Sequence, residues 1–270
     1  MEISLLGISS FLVIGMAVGF LAGFLGVGGG IIMVPLLYFW AFPAIHIPPE
    51  IIVHMCFGTS LAIIIPTSLS SSYAHAKAGN VDWHMVLLLT VPGILGSFLG
   101  STLAAHVNGS LLKSFFGVLL MAISAQMIFQ KKGAEKTDRS FSPPSWATGA
   151  TGFLVGVFSA FLGLGGGVLA VPIMVRFLGV PIHRAVGISI SFVLFASIVG
   201  TVGYIVNGWG NPHLPTFALG YIHTWGWVLA GVPAVFLAPW GARWGRKTRP
   251  RHLRQAFALL LMFVGIRMFF

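Results

Sequence analysis

The sequence predicts an all-α polytopic membrane protein made of two inverted structural repeats. Each repeat is expected to hold a glycine-broken re-entrant or hairpin helix and three transmembrane helices. Three observations lead there: a composition too apolar for a water-exposed surface, a glycine cluster that occurs twice, and basic residues gathered in two loops. Of 270 residues, 57% are hydrophobic and 7% charged, against about 25% charge in an ordinary soluble domain. The net charge of +10 would suit nucleic acid in a soluble chain, but its placement in loops of an apolar chain suits anionic lipid headgroups instead. The single cysteine, Cys56, excludes an internal disulfide and any multi-cysteine metal or iron–sulfur site. No cofactor motif is present. With Glu2 and no basic segment at the N-terminus, no cleaved signal peptide is expected.

The first cluster, Gly26–Gly30 followed by Pro35, returns as Gly163–Gly167 followed by Pro172, a shift of 137 positions. Each glycine in a helix costs about 0.5–1 kcal/mol relative to alanine, so three in a row oppose a continuous helix. Further matches extend the repeat. His54–Ser60 aligns with His183–Ser189 at a shift of 129, and Val91–Gly93 with Val232–Ala234 at 141. The halves are therefore 1–130 and 145–270, joined by a basic linker at 131–144.

In chain order the apolar runs are Ile3–Leu25, Ile31–Phe42, Ile51–Tyr73, Met85–Ala105 and Leu111–Phe129. After the linker come Trp146–Leu164, Val168–Leu178, His183–Val206, Tyr221–Trp240 and Leu253–Phe269. Lys131, Lys132, Lys136 and Arg139 mark the linker. Arg243, Arg246, Lys247, Arg249, Arg251 and Arg254 mark the second basic loop. The positive-inside rule puts both loops in the cytoplasm. They share a side only if the chain reverses at the second glycine cluster. Each half then crosses an odd number of times, the halves are inverted, and both termini face outward. Interrupted helices at matching places in two halves point to a transporter's central binding site.

The motif Gly23–Gly30 with Pro35, its repeat near Gly163–Pro172, and the elements Gly58-Thr59-Ser60 and Gly187-Ile188-Ser189 resemble the TauE/SafE sulfite exporter family across essentially the whole chain. The resemblance implies a polytopic inner-membrane carrier of small anions, its members being associated with sulfite, sulfoacetate and other sulfur-containing or organic anions. Ile188 stands where the first half has Thr59, so a hydroxyl there is present in one half only.

Residue chemistry points to the same ligand class. A helix beginning after Gly28, Gly29 and Gly30, or after Gly165, Gly166 and Gly167, turns unpaired N–H groups and a positive dipole end into the protein, where an oxyanion fits. Thr59, Ser60 and Ser189 add hydroxyls, although each serine can instead bond a carbonyl of its own helix. Acidic residues are nearly absent from the spans, which counts against a cation carrier. His54 and His183 match across the halves and are candidates for substrate or proton coupling; an interfacial place at a span end is the other role open to them. Arg176, nine residues past the second cluster, is a candidate for pairing with substrate or for snorkelling to the surface. His75 and the remaining histidines read as loop or interface residues, with no metal-ligand spacing. Gly15, Gly19, Gly152 and Gly156 suit close helix packing. An intramembrane enzyme would need a nucleophile–base pair, and none is convincing. A channel and a histidine-based metal exporter remain as other transport readings.

Overall fold

The computed structural model describes residues 5–25, 29–129, 144–245 and 250–269. Helix α1 (Leu5–Leu25) and helix α2 (Gly30–Ala44) flank the first glycine cluster. Gly26, Val27 and Gly28 lie outside the described residues, as does the linker except Pro144. Helices α3 (Ile52–Lys77), α4 (Trp83–His106) and α5 (Gly109–Phe129) complete the first half. The second half holds α6 (Ser145–Phe161), α7 (Gly167–Phe177), α8 (Ile182–Gly208), α9 (Thr224–Gly245) and α10 (Pro250–Arg267). Among the described residues four helices are long and apolar enough to cross a membrane, over Ile52–Lys77, Trp83–His106, Gly109–Ile128 and Arg184–Gly208.

Two boundaries differ from the sequence reading. The second span does not end at Tyr73 but continues to Lys77. The run beginning at Tyr221 opens on a strand, because Ala218–Leu219 and Ile222–His223 pair as a short antiparallel hairpin before α9 starts. That hairpin sits in the longer α8–α9 connection, which has no counterpart between α3 and α4.

Local chemistry accounts for the helix ends. The Asp82 carboxylate accepts the N–H groups of His84 and Met85 at 3.1 and 3.2 Å and starts α4; Asn108 starts α5 by accepting the Ser110 N–H at 2.9 Å. Pro66 lies inside α3. Beside it, Thr67 and Ser68 donate to the carbonyls of Ile64 and Ile65 at 2.9 and 3.0 Å, as side chains do where a membrane helix loses a backbone bond.

The halves interlock. Gly15 and Gly19 of α1 lie directly against Ala230 and Ala234 of α9, while Gly152 and Gly156 of α6 lie against Leu89 and Gly93 of α4. Gly241 meets Phe20, and Gly100 meets Val157. Under the shifts of 137 and 141 positions found in the sequence, each contact in one pair is the image of a contact in the other. The α1–α9 and α4–α6 pairs run parallel, since contacting residues ascend together. Equivalent helices that touch run antiparallel. On α3 and α8, Gly58 lies beside Tyr204, and Ser72 bonds Ser191 at 2.8 Å. On α5 and α10, Gly117 approaches Gly265, and the Ser124 hydroxyl donates to the Ala258 carbonyl at 2.6 Å. These contacts follow a two-fold exchange whose axis runs across the helices. One end of the bundle therefore collects the end of α5, the start of α6, the end of α9 and the start of α10.

No room exists for a side chain at Gly156, whose Cβ would fall on the Gly93 carbonyl. Gly156→Leu should lower the unfolding midpoint of the purified protein, by an overpacking cost of about 1–3 kcal/mol or more. An unchanged midpoint would contradict this interlocked packing.

Candidate functional site

The chain leaves α6 through a Schellman-type end. Leu164 N–H bonds the Ser159 carbonyl at 3.0 Å, Gly163 N–H bonds Ala160 at 3.4 Å, and Gly163 takes the left-handed φ of 67° that this motif needs. Gly165 and Gly166 follow at φ 74° and 81°, and α7 begins at Gly167 with no side chain capping it. In the first half α1 is described as far as Leu25, and α2 starts at Gly30, also without a side-chain cap. The return of the chain there is visible in the Phe11 and Phe42 rings, whose centroids are 6.0 Å apart. The two breaks touch: a Cβ on Gly30 would lie 2.5 Å from the Leu164 carbonyl oxygen and 2.9 Å from Ile64.

Beside this junction lies a cavity of about 390 Å³, within the range of small-molecule sites. Its wall takes Gly29 and Met33 from α2 and its start, Leu164 and Gly167 from the second break, and Ser189 and Val193 from α8. The later turns of α3 add Thr67, Ser68, Ser70, Ser71 and His75. These segments put the cavity in the half of the bundle nearest the end that collects the two basic connections. Among the described residues no Asp, Glu, Lys or Arg lines it.

The sequence-derived residues divide accordingly. Gly29, Gly167 and Ser189 line the cavity, and Gly30, Gly165 and Gly166 form the junction behind it. Gly28 lies outside the described residues. Thr59 is outside the lining; its hydroxyl accepts the His223 N–H at 3.0 Å. Ser60 is fully buried, its hydroxyl without a partner, and it too is outside the lining. His54 sits at the far end of α3, with Nε2 3.1 Å from the carbonyls of Ala104 and Val107. Carbonyls only accept, so Nε2 carries the proton, and His54 ties α3 to the α4–α5 turn. The side chain of His183 lies outside the described residues. Arg176 is exposed in the last turn of α7, where a cation complements the helix end.

His75 and the hydroxyls before it are what the sequence reading missed. The apolar run stops at Tyr73, so His75 looked like a loop residue. The available signal was spacing: Ser68, Ser71 and His75 recur at three and four residues, one helix face.

The region related to the cavity by the 129-residue shift is filled. Tyr204, the counterpart of His75, is buried and donates to the Ala160 carbonyl at 3.1 Å. Tyr221 packs between it and His54, with centroids 6.5 and 5.1 Å away. His223 stacks on Phe11 at 5.2 Å.

An all-α bundle with long apolar helices, and a cavity beside the glycine breaks that no charged side chain among the described residues lines, fits a polytopic membrane transporter. The chain belongs to the sulfite exporter TauE/SafE family, which it matches over residues 11–268. It is 32% identical over 258 residues to a probable membrane transporter protein of Haemophilus influenzae, covering 96% of each chain. A probable membrane transporter protein of Methanocaldococcus jannaschii is 28% identical over 260 residues, covering 95% of this chain and 93% of that one. The probable membrane transporter protein YunE of Bacillus subtilis is 27% identical over 275 residues, covering 96% of each. No solved structure matches the chain.

The left-handed turn at Gly163 gives a direct check. A Cβ there would meet Phe57 Cα at 2.6 Å and adds a conformational cost of about 1–2 kcal/mol. Gly163→Ala should reduce both thermal stability and transport, whereas Gly79→Ala, at φ 71° in open space, should reduce stability by the conformational cost alone and leave transport intact. Equal transport by both variants would detach the break from function.

Proposed function

We propose that this protein is a secondary carrier that exports a small anion, sulfite or a related sulfonate or carboxylate, across the cytoplasmic membrane by alternating access. The observation that carries the reading is the cavity at the meeting point of the two glycine breaks, open on one side of that junction and matched by a packed aromatic region on the other. A carrier needs such a barrier; a conducting channel needs a path through it. The carboxylate-free lining favours an anion over a cation. Among the described residues no group of three or more metal-ligating side chains occurs, which gives a histidine-based metal exporter no support.

The two-fold exchange of contacts supports reading the halves as inverted repeats, each able to take the other's conformation. In that reading the linker at 131–144 and the α9–α10 connection lie in the cytoplasm, beside anionic headgroups, and both termini lie outside. The cavity then opens inward, as suits loading an export substrate. Gly29, Gly167 and Ser189 contact the anion directly, and Gly28, Gly30, Gly165 and Gly166 hold the backbone that lets it approach. Thr59, Ser60, His54 and Arg176 support the fold around the site, and His183 stands as a coupling candidate at the start of α8.

Transport by proteoliposomes tests this. Purified protein should catalyse saturable counterflow of sulfite, sulfoacetate or acetate, and Ser189→Ala should weaken it by about tenfold or more, as loss of one hydrogen bond to a charged ligand of about 1.5–3 kcal/mol predicts. If none of these anions moves under any ion gradient, the reading fails.

A further inference from the structure

Among the described residues one titratable side chain, His75, lines the cavity, and it carries an unpaired polar atom. His75 Nδ1 is buried without a hydrogen-bond partner. Ser189 supplies a second: its side chain is fully buried, it lines the same cavity, and its hydroxyl is unpartnered. The two come from facing antiparallel helices. The Ser72–Ser191 hydrogen bond of 2.8 Å sets the register. Three residues onward along α3 and two residues back along α8 are steps in the same direction, so His75 and Ser189 reach the cavity at nearly the same height.

Of the neighbouring hydroxyls, Thr67 and Ser68 already donate to carbonyls of α3 at 2.9 and 3.0 Å, while Ser70 and Ser71 line the cavity as further neutral donors without charge. A protonated imidazole and a free serine hydroxyl are donors only where an oxyanion needs them, and the imidazolium supplies the charge that the wall otherwise lacks. Among the described residues, the parts of α1, α2, α7, α8 and α9 that line the cavity add no charged side chain. Around its mouth, Lys77 and His84 are exposed, Arg184 is exposed at the start of α8, and the Asp82 carboxylate is engaged in capping α4.

We propose that His75 and Ser189 form the anion subsite of this cavity, and that each anion binds together with one proton taken from solvent onto His75. With a singly charged anion such as hydrogen sulfite, a monosulfonate or a monocarboxylate the loaded pair is neutral, which removes the cost of moving a lone charge through a wall without charged side chains among the described residues. On release the anion leaves as an anion and the proton returns to water, so charge and protons balance. This inference rests on the anion-carrier reading above and names the site and the coupling ion within it.

Methanesulfonate is the probe, because it stays singly charged across the whole range and any pH dependence belongs to the protein. Calorimetry of the purified wild-type protein in buffers of different ionisation enthalpy counts protons bound with each anion. Uptake should approach one proton per anion above pH 7, with affinity falling about tenfold or more between pH 5.5 and 8. His75→Gln should bind without proton uptake and with a flat pH profile, and His84→Gln should behave as wild type. Wild-type protein that binds methanesulfonate with no proton uptake overturns the proposal, a result independent of whether any variant folds. A His75→Gln protein that keeps the full pH profile overturns it as well. Both outcomes leave the carrier reading standing, whereas absence of anion binding and transport at every pH overturns the carrier reading itself.

Discussion

Everything in this bundle is arranged around the need to satisfy backbone where two helices stop inside an apolar interior. Unpaired N–H and C=O groups cost several kcal/mol each in hydrocarbon, so irregular backbone survives only where protein or a polar cavity covers it. The second break meets that demand with a Schellman end and three left-handed glycines. The two breaks also shield each other, Gly30 lying against the Leu164 carbonyl. Close packing of α1 on α9 and of α4 on α6 follows from the same need, since glycine-to-backbone contact holds the breaks at a common centre.

The same contacts explain how nearly symmetric halves produce an asymmetric interior. On α3 the positions after Pro66 are small and polar, and a cavity opens beside them. On α8 the equivalent positions carry Tyr204, and the β-hairpin before α9 brings Tyr221 against it and His223 onto Phe11. Tyr221 bridges to His54, so the aromatic layer ties together α3, α8 and the hairpin. A barrier made from an insertion unique to one half distinguishes the two ends of the bundle without disturbing the shared helix contacts.

Much of this was legible in the sequence because it depends on local features. Composition gave the membrane class, and the duplicated glycines gave the helix breaks and the pairing of α1 with α6. Under the 137- and 141-residue shifts read from the sequence, the Gly15–Ala230 contact maps onto the Gly152–Leu89 contact. What escaped depends on tertiary partners. His75 looked like a loop residue because polarity after Tyr73 resembles a helix end, yet a serine-rich helix is stable where its polar face meets a cavity. Thr59 looked like a ligand because its hydroxyl sits in apolar sequence; the His223 N–H that occupies it comes from 164 positions away. The hairpin at Ala218–His223 is too short to carry a strand pattern.

Alternating access, as proposed above, requires one of the two related grooves to be open while the other is closed, and the anion to exchange them. Ser68 and Ser197 are equivalent under the 129-residue shift; the first lines the cavity, and the second is buried in the packed region with its hydroxyl unpartnered. In a Cys56→Ser background, reaction of Ser68→Cys and Ser197→Cys with a small water-soluble methanethiosulfonate measures access to each side without a change of side-chain size. The account predicts fast modification at position 68, very slow modification at 197, and acceleration at 197 when sulfite or methanesulfonate drives turnover. Equal rates at both positions without anion would contradict it.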